Sequence, residues 1–136
     1  MTVNLNASEW MHSNGDFNSQ NYSKLNQINE NNINQLKKSW VYNSGVIIKK
    51  NTVQATPIFT GKYIIITDLA GNLHALSPLD GKLIWKTKLP SPNARRGMTY
   101  SNSVIYTPTS KGVAAINEDT GKIIKDMGSD GYFGDS

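Results

Sequence analysis

Apolar and polar positions along this chain fall into two matching series. YIIIT (Tyr63 to Thr67) and VIYT (Val104 to Thr107) are near-continuous apolar runs. Each is followed by a glycine-containing break, a second apolar run, another break ending in glycine and a mixed segment. The stretch from Pro57 to Lys86 lies over the stretch from Gly97 to Asp126 at a spacing of 40 residues without a gap. Ile65 falls on Ile105, Thr67 on Thr107, Ala75 on Ala115, Gly81 on Gly121, Lys82 on Lys122 and Ile84 on Ile124. Chemical type is kept where Ile64 meets Val104, Leu73 meets Val113, Leu76 meets Ile116 and Leu83 meets Ile123. Short β-branched runs between turn residues read as strands, and a repeat near this length built from them is the mark of a β-propeller blade.

Each copy resolves into four strands, over 53–59, 62–67, 72–76 and 82–87 in the first and 97–101, 103–107, 112–116 and 122–126 in the second. The breaks carry turn chemistry: TGK and SNS, then LAGN and TSKG, then SPLDG and NEDTG, with Asp80-Gly81 the strongest hairpin signal. Middle strands without polar alternation are expected to be buried on both faces, as in a blade held between neighbours. The fold class expected is therefore all-β, about two four-stranded antiparallel blades of a larger ring, with an irregular N-terminal segment.

That segment, residues 1–36, is polar and rich in asparagine. Trp10, Phe17, Tyr22, Leu25, Ile28, Ile33 and Leu36 recur through it, which suits an irregular stretch pinned onto a core rather than low-complexity disorder. Asn29 or Asn31 is placed to cap a helical turn ending near Leu36. KKSWVYNSG then reads as a strand with Trp40 and Tyr42 on one face and Val41 on the other. The division expected is 1–36 opening segment, 37–52 outer strand and connection, 53–90 first blade, 91–128 second blade and 129–136 a tail or linker toward a third.

Composition narrows the functions. The chain has 136 residues, 38% hydrophobic, with a net charge of +4 and no cysteine. That excludes disulfides, thiolate metal sites and cysteine nucleophiles. Its lysines are scattered in pairs such as Lys37-Lys38 and Lys49-Lys50, without the aromatic interleaving of a nucleic-acid surface, so no nucleic acid is expected. No apolar run is long enough for a transmembrane helix, and the first residues lack the basic and apolar regions of a signal peptide. The sequons at Asn6 and Asn21 matter only in a eukaryotic secretory setting, for which nothing argues.

ALSPLDGKLIWK resembles the alanine–turn–glycine–lysine–tryptophan docking motif of pyrroloquinoline-quinone (PQQ) propellers, through Ala75, Gly81, Lys82 and Trp85. In that family a tryptophan at the end of the outer strand packs across to the next blade. The second copy keeps Ala115, Gly121 and Lys122 but has Lys125 in the tryptophan position, so its docking is expected to be weaker or differently made. A small alanine permits close approach, glycine takes a positive-φ turn position, and the indole spans a wide gap with one donor to satisfy. DFNSQNYSKLNQINENNINQLKKSWVYNSG is similar to the N-terminal segment of the quinoprotein alcohol, methanol and glucose dehydrogenases. NTVQATPIFTGKYIIITDLAGNLHALSPLDGKLIWK is similar to their first blade, and ARRGMTY to the opening of the next. The resemblance implies an eight-bladed ring that binds PQQ and a calcium or lanthanide ion on its axis. Such a ring oxidises alcohols or sugars in the bacterial periplasm and passes electrons to a cytochrome or ubiquinone.

The repeat spacing sets Gln54 and Arg96 near the start of the innermost strand in successive blades, so both converge on one end of the channel. On residue chemistry alone, Gln54 reads as a strand-end cap and Arg96 as a solvated arginine. By resemblance, Gln54 stands where a glutamate or glutamine contacts the quinone, and Arg96 where an arginine bonds its ortho-quinone oxygens; Arg95 competes for that role. A guanidinium fork suits a planar tricarboxylate and stabilises charge gathering on reduction.

Other residues carry less. His12 and His74 have no partner pattern for a metal or a triad, and His74 is expected on a blade surface. DMGSDGYFGDS, with Asp126, Asp130 and Gly131, lacks the ligand spacing of a calcium loop and reads as an acidic turn. Thr67, Asp68 and Ser110 are polar residues beside turns, with no compelling role. The metal ligands and catalytic base that the resemblance implies match no position here, so neither a catalytic nor a metal residue is expected in this chain. The chain alone is expected to be inactive and to bind PQQ and calcium weakly at best. Its expected partners are the remaining blades or further copies of itself; four copies of two blades would also make eight. The rival reading is a non-catalytic propeller of the same repeat type that serves as an assembly scaffold.

Overall fold

The computed structural model describes residues 10–15, 18–47, 54–90 and 97–134. Two four-stranded antiparallel sheets account for its regular structure, each ordered as the chain runs. The first holds β1 (Ile58–Phe59), β2 (Ile64–Thr67), β3 (Leu73–Leu76) and β4 (Leu83–Thr87). The second holds β5 (Thr99–Ser101), β6 (Val104–Thr109), β7 (Gly112–Asn117) and β8 (Tyr132–Phe133). All-β blades are thus what the chain builds, as the repeat requires.

One core is shared between the sheets. Ile58, Ile65, Leu73 and Ala75 of the first pack with Tyr100, Ile105, Ala114 and Ile116 of the second, and Met11 and Trp85 close over them. Burying each large aliphatic side chain is worth roughly 1.5–3 kcal/mol, so the face between the sheets is the main source of stability. Burial on both faces is realised in β3, where Leu73, His74, Ala75 and Leu76 are all buried. It is not realised in β2 or β6, which alternate between buried and half-buried positions over most of their length.

The third turn of each copy is built identically. In the first, the Ser77 amide donates to the Lys82 carbonyl at 2.8 Å and the Gly81 amide to Ser77 at 2.9 Å; in the second, Asn117, Lys122 and Gly121 repeat both bonds at 2.9 Å. Earlier turns differ. Thr60 folds the first through its hydroxyl, which accepts from the Lys62 and Tyr63 amides. Asn102 and Ser103 both take positive φ, the signature of a tight two-residue hairpin turn.

Four expectations are corrected. The stretch from Lys37 to Gly45 pairs with no strand among the described residues; the side chains of Trp40 and Tyr42 hold it instead. The fourth strand of the second sheet is not 122–126. Ile123 makes a single bridge to Ile116, the chain then turns, and Tyr132–Phe133 take the place beside Val113 and Ala114, within the stretch read as a tail. The helical turn is a 3₁₀ turn at Ile33–Gln35 whose N-cap is Asn32, with no side-chain cap; Asn29 serves it through its backbone carbonyl. The first strand is shorter than expected because residues 54–57 pair with nothing regular, and residue 53 lies outside the described residues.

The N-terminal segment pins itself to the core only through its first described residues, at the inner edges; Tyr22, Leu25, Ile28, Ile33 and Leu36, expected to pin the rest, are exposed. Trp10 exchanges both backbone bonds with Phe59, at 2.9 and 2.8 Å, and the Met11 carbonyl accepts from the Tyr100 amide at 2.8 Å. A tight turn at Gly15 then returns the chain to Met11 and lays Gly15 against the Trp10 ring. Residues from one short hairpin thereby tie β1 to β5.

Candidate functional site

Of the two residues expected to face a cofactor, the structure places one. Gln54 is exposed, four residues ahead of β1 on the inner side of the first sheet. Arg96, and its competitor Arg95, lie outside the described residues. Among the described residues no group of three His, Asp or Glu side chains gathers to hold a metal. Tested against a planar tricarboxylate, the described donor set is one amide, which can fix an oxygen but cannot balance the charge. The described part of the chain does not build that site by itself.

The docking motif is built completely, and twice. Ala75 is buried and pairs in register with Trp85 across β3 and β4. The Trp85 indole lies over the Gly121 turn of the second sheet, its Nε1 donating to the Glu118 carbonyl at 2.7 Å; the Thr87 hydroxyl donates to the Gly121 carbonyl at 2.5 Å. A Cβ on Gly121 would stand 2.6 Å from the Trp85 ring, and the φ of 67° is one that L side chains rarely adopt. Trp40 does the same to the first sheet. Its Nε1 donates to the Pro78 carbonyl at 3.2 Å, and a Cβ on Gly81 would stand 2.5 Å from its ring. Pro78 and Glu118 are equivalent positions of the two copies, as are Gly81 and Gly121. The segment around Trp40 therefore meets the first sheet as β4 meets the second.

Ala115 is buried in β7, while Lys82 and Lys122 are exposed on their turns. Lys82 pairs with Asp80 at 2.8 Å, and that ammonium, with help from Ser77, draws the Asp80 carboxyl down to about 2. Lys125 points no indole at another turn; it lies 3.6 Å from Asp130, both exposed. Asp130 sits at positive φ in the bend that leads to β8, so DMGSDGYFG is a structural turn.

His74 overturns its surface assignment. It is fully buried, with Nε2 2.9 Å from Asp68 Oδ2 and Nδ1 2.6 Å from the Tyr42 hydroxyl. Asp68 is buried too. It accepts from the Ala70 and Asn72 amides at 2.9 and 3.0 Å, from the Asn72 side chain at 2.8 Å, and faces the Lys86 ammonium at 3.3 Å. Burial opposes its ionisation, but the Asn72 and His74 bonds and the Lys86 ammonium outweigh that and hold the carboxyl at about 2. With Asp68 an ionised acceptor, His74 Nε2 donates to it, while Nδ1 shares a hydrogen bond with the Tyr42 hydroxyl. The Tyr42–His74–Asp68 chain is therefore a clamp that fastens the N-terminal segment to β3. It has no open face for a substrate. Its sequence signal was DLAGNLH, an aspartate and histidine either side of a turn at antiparallel spacing, with a lysine cross-strand from the histidine.

The comparisons with known proteins agree with this architecture. Residues 10–133 match the family described as "PQQ: Glucose/ethanol/alcohol dehydrogenase, beta-propeller domain". Methanol dehydrogenase [cytochrome c] subunit 1 of Methylobacterium organophilum is 28% identical over 90% of this chain and 22% of its own length. Quinohemoprotein alcohol dehydrogenase ADH-IIG of Pseudomonas putida is 33% identical over 70% of this chain and 13% of its own. A solved structure of the quinohemoprotein alcohol dehydrogenase ADHIIG from Pseudomonas putida HK5 superposes with a TM-score of 0.74 at 28% identity, covering 85% of this chain and 18% of that one. The chain thus spans about a fifth of the length of relatives that it matches.

Proposed function

Because the chain belongs to the PQQ glucose/ethanol/alcohol dehydrogenase β-propeller family of oxidoreductases, we propose that it is the opening portion of a quinoprotein dehydrogenase ring. In that ring residues 53–90 and 91–128 supply the first two blades, with the second completed by β8, and residues 37–52 supply an outer strand and its connection. The observation that carries this is the doubled tryptophan dock. Trp40 grips the Gly81 turn as Trp85 grips the Gly121 turn, so the Trp40 segment is the outer strand of a further blade whose inner strands come from elsewhere in the ring. The family match over residues 10–133 favours a dehydrogenase over the assembly-scaffold reading.

Gln54 and Arg96 then serve one end of the axis. PQQ held there would supply the two-electron acceptor for oxidation of an alcohol or sugar. Gln54, exposed ahead of β1, would hold one oxygen of the cofactor through its amide. Arg96 supplies the cation that a polycarboxylate needs. The calcium or lanthanide ligands and the base that removes the alcohol proton come from other blades, so the 136 residues alone do not turn over. No helix among the described residues is long and apolar enough to cross a membrane. A periplasmic setting, with a cytochrome or ubiquinone as acceptor, is the one proposed.

A titration of PQQ with calcium, followed by the quinone absorbance, tests the reading. It is run on the whole ring and on the present chain, each as wild type, Gln54→Ala, Arg95→Ala and Arg96→Ala. We expect micromolar binding by the ring, at least about tenfold weaker with Arg96→Ala, less affected by Gln54→Ala and indifferent to Arg95→Ala. Weak binding is expected of the present chain. A ring that binds PQQ equally with Arg96→Ala removes that residue from the site, and a ring that does not bind PQQ ends the dehydrogenase reading.

A further inference from the structure

The described surface carries a strongly charged concavity beside β4. A groove of about 630 Å³ runs between the outer strand of the first sheet and the last turn of the second. Its walls include Lys86, Lys88, Lys122 and Lys125, and no acidic side chain. All four lysines are exposed. Lys86 and Lys125 have partners in Asp68 and Asp130, whereas Lys88 and Lys122 have no carboxylate within 4.0 Å among the described residues. The hydroxyl of Thr87, also in the wall, is spent on the Gly121 carbonyl. The groove therefore offers uncompensated ammonium groups and asks for anionic partners.

A second feature lies beside it. β4 pairs only with β3, so its other edge carries unpaired backbone donors and acceptors among the described residues. Leu83 and Ile84 on that strand are 46% and 48% exposed. A free edge beside a basic groove suits an extended chain that pairs along the backbone and points carboxylates at the lysines. Both walls belong to this chain, so the groove does not depend on the rest of a ring. We propose that it is a docking surface for an acidic, extended segment of a partner protein, held by β-addition to β4 and by Lys88 and Lys122.

The test is fluorescence anisotropy with a labelled peptide of alternating Glu and Val, titrated with the full chain at low salt. Binding is expected to weaken about tenfold in the Lys88→Glu, Lys122→Glu double variant and to fall as salt rises. Lys24→Glu, on the N-terminal segment, is expected to leave it unchanged. N-methylation of alternate peptide amides is expected to weaken it several-fold, because β-addition needs those donors. A peptide of alternating Lys and Val is expected not to bind. Both reversed lysines are exposed, and an unchanged circular dichroism melt shows that the double variant folds. No binding by the acidic peptide would leave the lysines as guards that keep the β4 edge unpaired and would overturn the proposal. So would binding indifferent to the double reversal, or equal displacement by tripolyphosphate with no effect of N-methylation, which would mark a general anion site.

Discussion

The two sheets share one plan up to their last turn and part there. After Gly81 the chain stays on its sheet as β4, and after Gly121 it makes one bridge, leaves, and returns only at Tyr132. The turns themselves are the same to within 0.1 Å in their backbone bonds. The difference lies a few residues beyond them. In the first copy Trp85 grips the neighbouring sheet, while the equivalent Lys125 has no ring to dock and sits in a solvated pair. The outer strand of the first blade thus has two holds, the ladder to β3 and the indole on the next turn. With the second hold missing, the Gly128 bend and the β8 detour replace a straight outer strand, and Gly131 settles against Ile123. An outer strand is secured as much by the sheet it faces as by the sheet it belongs to.

The largest expected effect comes from closing the gap under each indole. Gly121→Ala places a Cβ against the Trp85 ring and the Thr87 hydroxyl at positive φ, which should cost about 3 kcal/mol from backbone strain and overpacking together. Gly81→Ala meets the Trp40 ring first, on a segment with no ladder among the described residues to hold it, so the ring can swing away and the cost falls to about 2 kcal/mol. Urea denaturation of both variants reads the difference. Equal losses would show that the Trp40 segment is held as firmly as β4.

A smaller effect separates the sheets by pH. Position 68 in the first copy is aspartate and its equivalent, Pro108, cannot ionise, so only the first sheet carries the buried clamp. The Asp68 carboxyl titrates at about 2 when folded and near the ordinary 3.8 when unfolded. Its folded value is the lower one, so its stabilisation is complete above the unfolded value and is lost as pH falls from about 4 to about 2. The amount at neutral pH is about 2 kcal/mol. Urea midpoints measured at pH 7, 4 and 2.5 should fall in the wild type and fall less in Asp68→Asn. Acid should also free Trp40 before Trp85, since Tyr42 is fastened through His74 and Asp68 while Thr87 is not. Loss of both indole environments at one pH would refute a clamp confined to the first sheet.

The reach of the sequence divides along the same line. The blades, their turns and the dock of Trp85 are set by local rules: period, glycine at positive φ, a small residue beneath a large one. Those rules wrote the repeat, and the repeat could be read. The straight fourth strand expected over 122–126 failed because strand propensity says nothing of the partner an outer strand needs. His74 was set on a surface because a lone histidine in a strand shows no sign of the Tyr42 that reaches it from 32 positions earlier. Trp40 read as part of a strand because its alternation was right; among the described residues that alternation serves the dock on Pro78 rather than a ladder. The Gln54 and Arg96 pairing remains a proposal, since Arg96 lies outside the described residues.

The smallest expected effect concerns the position where the sheets are most alike. Thr67 and Thr107 are equivalent, both are buried, and neither hydroxyl has a hydrogen-bond partner among the described residues. A buried hydroxyl without a partner costs desolvation and returns nothing, whereas valine fills the same volume with a methyl group. Thr67→Val and Thr107→Val should therefore each hold or raise stability, by up to about 1 kcal/mol, and by the same amount. The two effects should add in the double variant, because each hydroxyl sits in its own sheet. If one substitution instead destabilises by about 1 kcal/mol while the other does not, that hydroxyl holds a buried water or bonds outside the described residues, and the equivalence of the two sheets breaks at its best-matched position.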